Sequence, residues 1–200
     1  DIVFIDPIFF TTLPKDEIVS GYAEIIKHTL IRDKEGFKHL LLTDLWSLDW
    51  TTLVSKSVNI KKAIVEEDPT EKGLRKILNF GHTIGHAIES YFLPTENSLK
   101  HGEAIAIGMI AEAFLSNVKC KLDAKELEQI TDLIKGKFPL VKITDEEINK
   151  ISKLAIHDKK NKDGIINAVL LNAIGNPIID VPISSKEIIS SLEFYNHQIR

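Results

Sequence analysis

Residues 103–118 constrain this chain more than any other stretch. Ala and Ile crowd the segment from Glu103 to Val118, and a helix that is apolar nearly all round has to be buried on several sides. Such a helix belongs at the centre of a helical body, with amphipathic helices packed around it. Apolar residues at helical spacing predict those neighbours. They are expected from Lys15 or Asp16 to about Arg32, over about Glu35–Leu42, and over roughly Thr51–Glu67. Further helices are expected from near Leu78 to about Tyr91, over Ala124–Lys135 and over Asp145–Ala155. The third ends at Asp68-Pro69, because the residue before proline disfavours the α region. Thr144, with Glu147 three residues on, has the pattern of a capping box.

Two stretches break the helical pattern. Ile2–Ile5 is a short apolar run that stops at Asp6-Pro7, the pattern of a strand end and a turn. Ile165–Leu171 and Pro177–Val181 are apolar and β-branched, joined through Gly175-Asn176, which predicts a β-hairpin. Ser184 or Ser185 then caps a last helix over about Lys186–Tyr195. The expected fold is therefore mainly α, with a short N-terminal strand and a late hairpin.

Composition narrows the function. Of 200 residues, 44% are hydrophobic and 27% charged, an ordinary foldable balance. With 25 basic and 29 acidic residues the net charge is −4, which argues against nucleic acid or an anionic membrane as partner. No apolar run reaches the ~18 residues of a membrane span. Cys120 is the single cysteine, so no intrachain disulfide forms. The start lacks the basic region of a signal peptide, and a cytoplasmic protein is expected. An apolar run at the first residue, without a starting Met, is what a piece of a longer chain would show.

The segment Asn79–Glu89 carries the clearest chemistry. His82 and His86 are four apart, hence one turn apart on the same helix face. Two imidazoles so placed suit either a transition metal or a pair of buried, hydrogen-bonded histidines. A protease-type zinc helix would carry Glu after the first His, where this chain has Thr83. His101 opens the next long helix, 19 residues after His82. The intervening loop is long enough to fold the two helices side by side, so His101 either faces His82 or stands exposed at a helix entry. Glu24 sits among apolar Ala23, Ile25 and Ile26 and needs a partner. That partner is Lys27 at i+3, or a metal with Lys27 left for an anionic substrate. Lys61, Arg75 and Asn79 suit a carboxylate or phosphate if they meet, and are solvated surface groups if they do not. The charge run His157–Gly164 reads as an exposed turn. No glycine-rich phosphate loop, nucleophile elbow or Cys–His pair is present, and Cys120 reads as packing.

These motifs resemble a known family. Leu74–Ala87, with Asn79-Phe80-Gly81-His82 and His86 inside it, is similar to the signature of 3-dehydroquinate synthase of the shikimate pathway. So are His101–Met109, Thr12-Leu13-Pro14, Ser20–Lys27 and Asp158-Lys159-Lys160, in the same order. Thr29 departs from the glycine more usual in the family. The resemblance covers only the family's helical C-terminal domain. It implies that residues 1–200 are one metal- and substrate-binding domain, without the Rossmann-like N-terminal domain that holds most of the NAD. It implies a zinc site (or another divalent metal such as cobalt) of Glu24, His82 and His101. Lys27, His86 and Glu71 match catalytic positions; Lys61, Arg75, Asn79 and one of Lys159 and Lys160 match substrate-binding ones. The implied reaction converts 3-deoxy-D-arabino-heptulosonate 7-phosphate, a phosphorylated sugar acid, to 3-dehydroquinate and phosphate. It proceeds by transient NAD-dependent oxidation, phosphate elimination, re-reduction and intramolecular aldol closure, which makes the enzyme a carbon–oxygen lyase. A homodimer is implied, and these 200 residues alone are expected to be inactive. Another sugar-phosphate cyclase, such as 2-deoxy-scyllo-inosose synthase, or a non-catalytic metal-binding domain, are the alternative readings.

Overall fold

The computed structural model describes residues 4–158 and 165–199. Eight α-helices and one hairpin follow in order among them: α1 Lys15–Arg32, α2 Lys34–Leu42, α3 Trp50–Glu67, α4 His82–Phe92, α5 His101–Cys120, α6 Ala124–Lys135, α7 Asp145–Asp158, β1 Ile165–Ala173, β2 Asn176–Ser184 and α8 Ser185–Gln198. Short 3-10 turns at Pro7–Thr11, Leu45–Ser47 and Leu74–Asn79 fill the connections. None of the helices is long and apolar enough to cross a membrane among the described residues.

The Ala- and Ile-rich helix is central, as its composition requires. Every residue of α5 from Ala104 to Ala113 is buried. Helices α1, α4, α6 and α8 pack around it, and β1 lies across it. The antiparallel hairpin pairs Ile165 with Ser184 and Ala173 with Asn176. Its two-residue loop is Ile174-Gly175 rather than Gly175-Asn176, because Asn176 already pairs. Gly175 takes φ +87°, a left-handed conformation that glycine adopts freely. Its N–H donates to the Leu30 carbonyl at 2.7 Å, which docks the loop on the end of α1.

Local side chains cap five of the eight described helix starts: those of α2, α3, α6, α7 and α8. Thr144 Oγ1 accepts from the Glu147 N–H at 3.3 Å, and the Glu147 carboxylate accepts from the Thr144 N–H at 2.7 Å. Ser184 and Glu187 repeat that exchange at the start of α8. Two expectations change. Phe4 and Ile5 are exposed and stand outside any strand, and Ile2 and Val3 lie outside the described residues. Asp6-Pro7 instead begins a 3-10 turn: the Asp6 carboxylate accepts from the Ile8 N–H at 3.0 Å, and Pro7 supplies a preset φ. The segment expected as one helix from Leu78 to Tyr91 is a 3-10 turn that breaks at Gly81, followed by α4.

Packing leaves one histidine in an unusual state. His28 on α1 is buried, with Nδ1 2.6 Å from Ser57 Oγ on α3. Burial, and then the neighbouring Lys27 charge, push its pKa from 6.5 down to about 4. The unfolded chain therefore takes up this proton first. The stabilisation is complete above pH 6.5 and is lost as pH falls toward 4, by roughly 3 kcal/mol. Denaturant unfolding of wild type and His28→Gln at pH 7.5 and 4.5 checks this. The stability gap between them should change with pH; a constant gap would show that His28 does not titrate in this way.

Candidate metal centre

Three elements meet where α1, α4 and α5 approach. Glu24 and Lys27 lie one turn apart on α1, His82 is the first residue of α4, and His101 is the first of α5. Gly81 places His82: its φ of +78° turns the chain sharply out of the 3-10 segment into α4. Glycine has no side chain to cap the new helix, and Glu112 on α5 supplies the acceptors. Its fully buried carboxylate takes the Gly81 N–H at 2.7 Å and the Ile84 N–H at 3.1 Å.

The start of α5 is held against α1 in two ways. The Gly102 N–H donates to Ser20 Oγ at 3.0 Å, one turn before Glu24. Lys100 pairs with Asp16 at 2.8 Å and also with Glu17, both in the first turn of α1. His101 is thereby delivered to Glu24.

The ring orientations matter most. His82 Nδ1 lies 3.1 Å from the Phe80 carbonyl, which only accepts, so Nδ1 carries the proton. His101 Nδ1 lies 3.1 Å from the Glu89 carboxylate, with the same consequence. In the neutral rings both Nε2 atoms then present lone pairs, and both face Glu24 Oε1, at 3.3 Å and 3.9 Å. Oε1 is buried without a hydrogen-bond partner. Burial opposes ionisation of Glu24, but the Lys27 ammonium outweighs it and holds the carboxyl well below the usual range. Lys27 Nζ is 2.7 Å from Oε2, which leaves Oε1 for another partner. Three acceptors converging on one point repel unless a cation lies between them. A tetrahedral ion with bonds of ~2.0–2.1 Å sets its ligand atoms about 3.3 Å apart. One atom from each of Glu24, His82 and His101 lies within 4.8 Å of the others. The donor set, the orphaned oxygen and the outer partners Phe80 and Glu89 all fit a divalent metal.

A cleft of about 360 Å³ opens beside this point, lined by Glu24, Lys27, Lys61, Glu71, Arg75, Asn79, His82 and His101. An adjoining space of about 310 Å³ adds His86, Lys76, Asn167 and Asp180. The structure thus brings together every described residue singled out from the sequence; Lys159 and Lys160 lie outside the described residues. Glu71 has φ 57° and accepts from Asn79 Nδ2 at 2.6 Å. Arg75 is fixed from behind by its Nη1 donating to the Pro69 carbonyl at 2.9 Å. Burial depresses the Lys27 pKa, Glu24 offsets part of that, and Lys61 adds to the depression. His86 stands one turn beyond His82, with ring centres 5.0 Å apart.

The family described as 3-dehydroquinate synthase C-terminal matches residues 21–161. The chain belongs to that family. A 3-dehydroquinate synthase of Parabacteroides distasonis is 42% identical over 196 residues, which cover 96% of this chain and 56% of the relative. One from Leptospira interrogans is 36% identical over 197 residues, covering 96% and 54%. The chain therefore spans about half the length of the curated relatives it matches. Among solved structures, 2-epi-5-epi-valiolone synthase from Streptomyces hygroscopicus, solved with NAD+ and Zn2+, superposes with TM-score 0.77 at 24% identity, covering 96% of this chain and 55% of that one. A 2-deoxy-scyllo-inosose synthase complexed with carbaglucose-6-phosphate, NAD+ and Co2+ gives 0.71 at 24% identity, covering 90% and 52%. At that identity these likenesses establish the fold alone. The helical body and hairpin found here are thus shared with those two structures.

Sequence reasoning missed five contributors. Glu89 is seven residues after His82 and three after His86, so helical periodicity put it on their face. Glu112 is a lone carboxylate inside an apolar helix, and such a group needs a built partner. Lys76 and Asp180 form an ion pair at 2.7 Å across the cleft wall, and Asn167 lines it; nothing local in the sequence links those residues.

Proposed function

We propose that this chain is the metal- and substrate-binding part of a 3-dehydroquinate synthase, a cytoplasmic homodimer acting on 3-deoxy-D-arabino-heptulosonate 7-phosphate. One observation carries the reading. Two histidine Nε2 atoms converge on a buried, unpartnered Glu24 oxygen, beside a cleft walled by Lys27, Lys61 and Arg75. Glu24, His82 and His101 would hold a divalent ion such as zinc or cobalt, which when bound supplies Lewis acidity toward substrate oxygens. NAD, the transient hydride acceptor, would be held mainly by the part of the relatives' length that this chain does not span.

The chain's own residues then have separable tasks. Lys61 and Arg75 bind the carboxylate and phosphate, fixing the substrate so that it can fold back for aldol closure. Asn79, held by Glu71, orients hydroxyls. Lys27 places a buried positive charge where negative charge develops. His86 holds or passes a proton beside the substrate, and one of Lys159 and Lys160 completes the anion site. With the nucleotide bound elsewhere, the 200 residues bind metal and substrate without turnover. The reaction class is a carbon–oxygen lyase.

The relatives at 36–42% identity are 3-dehydroquinate synthases, whereas the inosose and valiolone synthases match at 24%. That favours the sugar acid over a neutral sugar phosphate. Calorimetric titration of the zinc-loaded chain tests it. The heptulosonate phosphate should bind at least tenfold more tightly than carbaglucose-6-phosphate, and Arg75→Gln should remove the preference. Equal binding of the two would overturn the reading in favour of another cyclase.

A further inference from the structure

His101 presents both ring nitrogens to carboxylates. Nε2 faces Glu24 at 3.9 Å, and Nδ1 stands 3.1 Å from Glu89 Oε2. Glu89 follows His86 by three residues on α4, the spacing that sets two side chains on one helical face. One ligand atom from each of His86, Glu89 and His101 lies within 4.8 Å of the others, as in the Glu24 set. The two sets have only the His101 ring in common, and Glu24 and Glu89 face its opposite nitrogens. Two imidazole nitrogens and a carboxylate oxygen are a donor set for zinc or cobalt, with coordination positions left for water. The His101 side chain is 45% exposed and that of Glu89 30%, so an ion reaches this second set from solvent.

We propose that His86, Glu89 and His101 form a second, weaker divalent-metal site that shares the His101 ring with the first. The inference rests on reading Glu24, His82 and His101 as the first site. The second is weaker because Glu89 must release its hydrogen bond to His101, whose Nδ1 proton leaves to water. It fills only when metal is in excess. Filling it draws His86 away from substrate and Glu89 away from the first site, so excess metal lowers activity in the complete enzyme.

Cobalt titration of the chain, followed by visible absorption and equilibrium dialysis, tests this without any activity assay. Wild type should bind two cobalt ions per chain, the second at least tenfold more weakly. Glu24→Gln should lose the tight equivalent and keep the weak one. His86→Ala should lose only the weak one. Glu89→Gln should lose the weak one and weaken the tight one by about 10- to 100-fold, as for a lost outer partner. Circular dichroism confirms that each variant is folded. A wild-type stoichiometry that stays at one in millimolar cobalt overturns the shared-ring site, as does a weak equivalent that survives both His86→Ala and Glu89→Gln. Neither result touches the first site, which falls separately if Glu24→Gln keeps the tight equivalent.

Discussion

His82→Ala is expected to lower the zinc content of the loaded and desalted chain from about one ion per chain to below about a tenth of that. A zinc centre with an open position needs three protein ligands, and the variant leaves two. The loss should far exceed the roughly 10- to 100-fold expected for losing an outer partner such as Glu89. Stability should follow. An ion present at a thousand times its dissociation constant adds about 4 kcal/mol to the native state. For a chain of this size that raises Tm by roughly 8–16 °C. Zinc should therefore raise the melting temperature of wild type by several degrees more than that of His82→Ala. Elemental analysis and thermal melts with and without zinc are sufficient. Equal metal content in the two proteins would exclude His82 as a ligand.

Gly102→Ala should break the site from a position that touches no metal. A Cβ built at Gly102 falls 1.9 Å from the Ser20 carbonyl oxygen and 2.5 Å from its carbon. Those atoms belong to the backbone of α1, so no side chain can swing aside. Overpacking costs typically 1–3 kcal/mol where side chains can give way, and more is expected against backbone. At about 3 kcal/mol, Tm falls by roughly 6–12 °C. The start of α5 must move off α1, and His101 moves with it, so zinc affinity should fall alongside stability. The adjacent hydrogen bond from Gly102 N–H to Ser20 Oγ is strained or lost as well. Melting within a degree of wild type, with unchanged zinc affinity, would mean that the two helices do not approach as described.

The two predictions separate two kinds of information. The His82–His86 spacing, the apolar setting of Glu24 and the position of His101 at a helix start were all legible along the chain, because helical periodicity converts sequence distance into direction. So were the capping box at Thr144 and the buried character of α5, since both depend on residues within a few positions of each other. The strand expected at residues 2–5 was not supported at Phe4 and Ile5, because a strand exists only if another pairs with it, and pairing is not a local property. The break at Gly81 escaped for a related reason: periodicity continues through Leu78–Tyr91, while the turn is stabilised by Glu112 from another helix.

Sequence by itself determined the ingredients: a helical body, a central apolar helix, and a set of histidines and carboxylates suited to a divalent ion. It left open whether Glu24 answers to Lys27 or to a metal, and whether His101 faces His82 or solvent. The tertiary structure decided where these groups point. Lys27 takes one oxygen of Glu24 and leaves the other buried and unpartnered, while Phe80 and Glu89 turn the two histidine rings so that their free nitrogens meet it. That choice depends on the close passage of α5 over Ser20 and on hydrogen bonds between elements 12 to 82 residues apart in sequence. Angles and lone-pair directions at such contacts are set by packing, and no local pattern of residues encodes them.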